Sequence, residues 1–190
     1  YYKRIPLKKS ATIVQGNALR IEWQSLIDPM PWEKEEPRYH YILGNPPFIG
    51  YAWQSKEQKE DLELIFDGVD SAGVLDYVTA WYIKSAKYLK EFQVTESQLP
   101  RTIVAFVSTN SISQGEQVGI LWNELLNIYK IKIHFAHRTF KWSNEARGNA
   151  AVHVVIIGFS NFDINAKRIF EYEDIRDEPH EVEGKNISPY

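Results

Sequence analysis

The sequence predicts an α/β fold on an open, largely parallel sheet that turns antiparallel at its end. Three observations carry this. Strand-like and helix-like segments alternate between residues 39 and 131. Residues 102–107 (TIVAFV) are almost continuously apolar, as in a strand buried on both faces of a parallel sheet. Residues 131–135 and 152–157 follow one another with no helix between them, which predicts an antiparallel pair.

Taken in order, residues 11–15 (ATIVQ) form a β-branched run stopped by Gly16-Asn17, and residues 39–43 (YHYIL) a second run stopped by Gly44-Asn45. Between them, Pro29, Pro31, Pro37 and the charges of residues 33–36 read as an exposed connection. Ser55 with Gln58 three positions later forms a capping box, opening a helix from Lys56 to about Phe66. Val74, Tyr77, Val78, Trp81, Tyr82 and Leu89 recur at helical spacing and predict a long amphipathic helix over residues 74–89, and Pro100 closes the loop after it. After the 102–107 strand, Ser113 and Glu116 suggest another capping box, with Val118, Leu121, Leu125 and Ile128 as the apolar stripe behind it. Residues 138–149 read as a polar loop, and a last strand near residues 168–172 precedes a polar tail.

Composition narrows the function. At 190 residues with 44% hydrophobic and 25% charged content, the chain reads as one soluble globular domain spanning residues 1–190. Its net charge of -3 gives no general basic surface, so a nucleic-acid contact must come from a local patch or from residues outside this chain. Cysteine is absent, which excludes disulfides and thiolate metal sites and fits a cytoplasmic setting. No apolar run approaches the ~20 residues of a membrane span. His134, His137 and His153 lack the companion ligands of a metal site and read as structural.

The chemistry concentrates at strand ends, where ligands sit in sheets of this kind. Asn17, Asn45 and the step Ser108-Thr109-Asn110 all fall at such ends. In Asn45-Pro46-Pro47-Phe48, the prolines fix the backbone and offer no N–H, leaving the Asn45 side-chain oxygen and the Pro46 carbonyl as stiff acceptors beside the flat face of Phe48. The exocyclic amino group of a purine is a poor nucleophile because its lone pair is delocalised into the ring. Two acceptors aimed at its hydrogens draw it toward tetrahedral geometry without a strong base.

This motif resembles the Asn-Pro-Pro-aromatic signature of S-adenosylmethionine-dependent adenine-N6 DNA methyltransferases. Gly16-Asn17-Ala18-Leu19 resembles their turn that contacts the cofactor adenine, and residues 76–84 (DYVTAWYIK) their helix that packs an aromatic, here Trp81, against it. Residues 106–112 (FVSTNSI) resemble the strand motif that follows. Residues 137–142 (HRTFKW) resemble the loop whose aromatic, Phe140 or alternatively Trp142, sandwiches the flipped base. The wording of residues 106–117 and 136–160 is most like the methyltransferase region of single-chain type IIL (type IIG-like) restriction-modification enzymes.

The resemblance implies a partial Rossmann-like class I methyltransferase sheet. It also implies a catalytic set of Asn45, Pro46, Pro47 and Phe48, cofactor contacts at Asn17, Trp81 and Asn45, and base or DNA contacts at Phe48, Phe140, Trp142, Arg138 and Lys141, with Arg147 in the same loop. The glycine-rich loop of the family and its ribose-binding acid do not occur, and Gly-x-Gly is absent throughout. The chain thus reads as the carboxyl-side part of a catalytic domain. S-adenosylmethionine is its implied cofactor, with the methionine end held elsewhere in the parent polypeptide. The implied partners are double-stranded DNA with a flipped adenine, and a parent that adds the glycine-rich motif, a target-recognition region and a possible nuclease domain. The same chemistry on RNA or on a protein glutamine, or a non-catalytic module, are the rival readings.

Overall fold

In a computed structural model, residues 12–27, 38–91, 101–142, 152–175 and 178–189 are described. The 28–37 connection, Pro100, Arg147 and most of the 138–149 loop lie outside them. Six strands form one mixed sheet: β1 (Tyr41–Gly44), β2 (Ile103–Thr109), β3 (Lys132–Trp142), β4 (Val152–Ser160), β5 (Lys167–Glu171) and β6 (His180–Gly184), in the order β1-β2-β4-β3-β5-β6. β1 and β2 are parallel, and β4 lies antiparallel to both β2 and β3, as the missing helix between residues 135 and 152 predicted. β5 runs parallel to β3, and β6 antiparallel to β5.

Helix α1 (Lys56–Ile65) opens on the predicted capping box, in which the Ser55 side chain accepts from the Gln58 N–H and the Gln58 side chain accepts from the Ser55 N–H. Helix α2 (Thr79–Glu91) starts five residues later than the apolar spacing predicts, because residues 72–74 form a separate 3-10 turn and the Thr79 hydroxyl donates to the Asp76 carbonyl at its first turn. Helix α3 (Glu116–Asn123) runs into a π turn at Glu124–Ile128. The capping box expected at its start does not form. The Ser113 hydroxyl is taken by the Asn110 carbonyl, and Gly115, at φ 67°, turns the chain into the helix.

The helices pack on one face of the sheet. Tyr82 of α2 meets Phe106 of β2 edge-on at 5.3 Å, stacks on Phe159 of β4 at 5.4 Å, and faces Trp122 of α3. Burial of these rings supplies the largest apolar contribution to the core. The opposite face is different. β2 alternates half-buried and buried residues instead of being buried on both faces, and Tyr41 and Leu43 of β1 are 66% and 73% exposed. Residues 12–15 form no strand: Ile13 is 91% exposed, and among the described residues no strand lies alongside to supply its ladder. A sixth strand was not anticipated in the polar tail, where β6 pairs through its backbone with every side chain but Gly184 exposed.

Candidate active site

β1 ends at Gly44, level with Phe106 of β2, so Asn45 leaves the sheet at its carboxyl edge. The rest of the motif is anchored from several sides. Pro46 is buried, the Ile49 N–H donates to the Pro47 carbonyl at 3.2 Å, and the Ile49 carbonyl accepts from the Tyr77 N–H at 2.9 Å. The Asp76 carboxylate accepts from the Tyr51 N–H at 3.2 Å and from the Ser111 hydroxyl, and the Asp76 N–H donates to the Gln117 side chain. One aspartate thereby ties the turn after the motif to the end of β2 and to α3. The proline pair and this tie fix the backbone, whereas the Asn45 side chain is exposed and has no hydrogen-bond partner among the described residues.

Asn45, Pro46 and Pro47 line a cleft of about 450 Å³ beside β1, whose outer edge is unpaired among the described residues. Trp81, Phe106, Ala18, Trp23 and Tyr39 complete its lining. The lining is apolar and aromatic and contains no charged side chain, which suits a flat, neutral ring better than an anion. Trp81 is half-buried and packs against the Tyr77 ring, 5.1 Å away and nearly perpendicular.

Asn17 occupies the predicted turn but turns away from the cleft. Its Oδ1 accepts from the Leu19 N–H at 2.9 Å and its Nδ2 donates to Asp61 at 2.8 Å, leaving only its neighbour Ala18 on the cleft wall. Asp61, 2% exposed, also accepts from Arg20 Nε and from the Tyr77 hydroxyl, both at 2.6 Å. Burial alone would raise this carboxyl, but the bonds from Tyr77, Arg20 and Asn17 outweigh it and hold it below the usual carboxylate range. Burial and the same carboxylate push the Tyr77 hydroxyl upward, so it stays a donor. Nothing in the sequence around Asp61 marks it, since its partners lie 16 to 44 residues away.

The remaining predicted residues gather elsewhere on the same edge of the sheet. Phe140 belongs to β3 and not to a loop, level with Val154 of β4 and, through it, with Thr109 of β2. Three strand spacings, about 14 Å, separate its column from that of β1. Its ring stacks on Tyr172 at 5.2 Å and lies 6.2 Å from Trp142. Arg138 is exposed and paired with Glu171 at 2.9 Å, and the Lys141 N–H donates to the Ile175 carbonyl. Phe48 is half-buried beside the cleft mouth without lining it. Ser108 is fully buried against the Tyr82 hydroxyl, so that strand end supports the site without entering it. His134 bonds the Phe162 carbonyl and His137 stacks on Phe170, both internal roles.

The family model for the DNA-methyltransferase domain of MmeI matches residues 1–171. The chain belongs to that family. It is 39% identical over 188 residues to DNA methyltransferase A of Bacillus subtilis (strain 168), covering 96% of this chain and 20% of that protein. The structure of the type IIL restriction-modification enzyme MmeI, determined in complex with DNA, superposes with a TM-score of 0.83 at 48% identity, covering all of this chain and 23% of that one. The chain therefore spans about a fifth of the length of these relatives. In this MmeI-type domain, the Asn-Pro-Pro-Phe step stands at the carboxyl edge of the sheet.

Proposed function

We propose that this chain is the base-holding part of an adenine-N6 DNA methyltransferase of the restriction-modification type, using S-adenosylmethionine on a flipped adenine. The observation that carries the reading is the Asn45-Pro46 step, fixed by buried contacts behind it while the Asn45 amide stays open at the mouth of an aromatic cleft. A target nitrogen inside the duplex is out of reach, so the adenine must leave the stack. Its amino group then donates to the Asn45 side-chain oxygen and the Pro46 carbonyl, and Phe48 covers one ring face. Because the backbone that carries both acceptors is fixed, the Pro46 carbonyl in particular reorients little when charge develops on the nitrogen.

The cofactor supplies an electrophilic methyl group on sulfur. The residues present suit its adenine end: Trp81 and Ala18 offer flat apolar walls, and the cleft excludes charge. Among the described residues no charged side chain lines the cleft to hold the methionine end, so that contact is assigned to the rest of the parent polypeptide. Phe140, Trp142, Arg138 and Lys141 form the outer aromatic and basic group of the DNA-facing side, with Phe140 closing on the base only once the DNA is bound.

The full-length enzyme with Asn45→Ala tests this. Methyl transfer to duplex DNA should fall about 100-fold or more, the scale on which one prefixed electrostatic contact acts in transition states. Wild-type activity in the variant, or transfer to RNA or protein in preference to DNA, would overturn the reading.

A further inference from the structure

We propose that Asp61 is the positioning residue that sets the width of the cofactor-adenine slot, and that Asn17 acts through it rather than by touching the cofactor. The inference rests on the methyltransferase reading above. Asp61 sits on α1, outside the cleft, yet its carboxylate bonds residues that support two of the lining side chains, Ala18 and Trp81. Through Asn17 Nδ2 and Arg20 Nε it holds the turn that presents Ala18. Through the Tyr77 hydroxyl it holds the ring that packs nearly perpendicular to Trp81 at 5.1 Å. The turn is also closed on itself: the Asn17 carbonyl accepts from Arg20 and Ile21, and the Trp23 indole donates to the Ala18 carbonyl. A shift of Asp61 therefore moves Ala18 and Trp81 relative to one another.

The same geometry accounts for an amide at position 17. Asn17 Nδ2 donates to Asp61 Oδ2 at 2.8 Å, where an aspartate would bring two carboxylates into contact. The pair is invertible on paper. With aspartate at 17 and asparagine at 61, the new amide group at the Oδ2 position donates to position 17, Oδ1 still accepts from Arg20, and the Tyr77 hydroxyl accepts instead of donating.

The test measures methyl transfer to DNA by the full-length enzyme at varied cofactor concentration. Asn17→Asp should raise KM for S-adenosylmethionine about 10-fold or more while kcat stays within about 3-fold, because a carboxylate set against the buried Asp61 displaces the slot and not the base-holding motif. Adding Asp61→Asn to that variant should return KM to within about 3-fold of wild type. An unchanged KM in Asn17→Asp, or no rescue by the second substitution in a folded protein, overturns the proposal. If Asn17→Asp does not fold, Tyr77→Phe decides, since it keeps the ring against Trp81 and deletes one donor: a raised KM supports the proposal and an unchanged one overturns it. A wild-type enzyme that transfers no methyl group to DNA would instead overturn the functional reading itself, before any variant is compared.

Discussion

Gly44 shows how tightly the Asn45-Pro46 step is set at the level of one residue. A Cβ there would lie 3.2 Å from two ring carbons of Phe106, which is buried and boxed by Tyr82 and Phe159. Because that ring has little room, Gly44→Ala should displace the end of β1 and the Asn45 that follows. We expect a loss of about 1 kcal/mol in stability, typical of mild overpacking, together with a several-fold fall in kcat/KM. Thermal unfolding and initial rates of the full-length variant check this, and unchanged values in both would contradict it. Asn45 to Phe48 were legible in the sequence because proline constrains its neighbours locally, whatever the fold does. The bond from Asn17 to Asp61 was not legible. It depends on a carboxylate 44 residues away, for which the local sequence carries no signal.

Among the elements, the start of α1 was read correctly, whereas the starts of α2 and α3 and the extent of β3 were not. The Ser55 and Gln58 box starts α1 as predicted, since both partners lie within one turn. Ser113 and Glu116 carry the same pattern, but the Ser113 hydroxyl is claimed by the Asn110 carbonyl. Residues 138–142 look like loop by composition, yet the ladder to β4 extends β3 to Trp142. The late start of α2 leaves Asp76 ahead of the helix, where it binds the Tyr51 N–H and Ser111 together. Asp76→Ala removes both acceptors. We predict a loss of about 1–3 kcal/mol, the scale of part-buried hydrogen bonds to a charged acceptor, and faster hydrogen exchange at the Tyr51 amide. The variant should also transfer methyl groups more slowly, because the turn after Phe48 loses its tie to β2. Exchange at Tyr51 as slow as in the wild type would show that the tie does not hold the turn.

At the scale of the molecule, the alternation of strands and helices was enough to predict an α/β sheet with an antiparallel end, while the uneven covering of its two faces was not. Helices α2 and α3 bury Val104 and Phe106, but Tyr41 and Leu43 project from the other face of a strand whose second edge is unpaired among the described residues. Such an edge combines free backbone groups with exposed apolar side chains, the arrangement that invites pairing with another chain. The 190-residue chain should therefore associate through β1 with increasing concentration. Leu43→Lys places a charge on that face without touching the helix-covered core, and it should shift the chain toward monomer in sedimentation velocity, with Leu64→Lys on α1 as a control that leaves association unchanged. A wild-type chain that stays monomeric across the accessible concentration range, or equal association of both variants, would rule out β1 as the contact. Because the candidate cleft lies beside this same strand, association should also protect Tyr41 and Trp81 from solvent together. Quenching of tryptophan fluorescence by a neutral quencher would then weaken as concentration rises in the wild type and stay constant in Leu43→Lys.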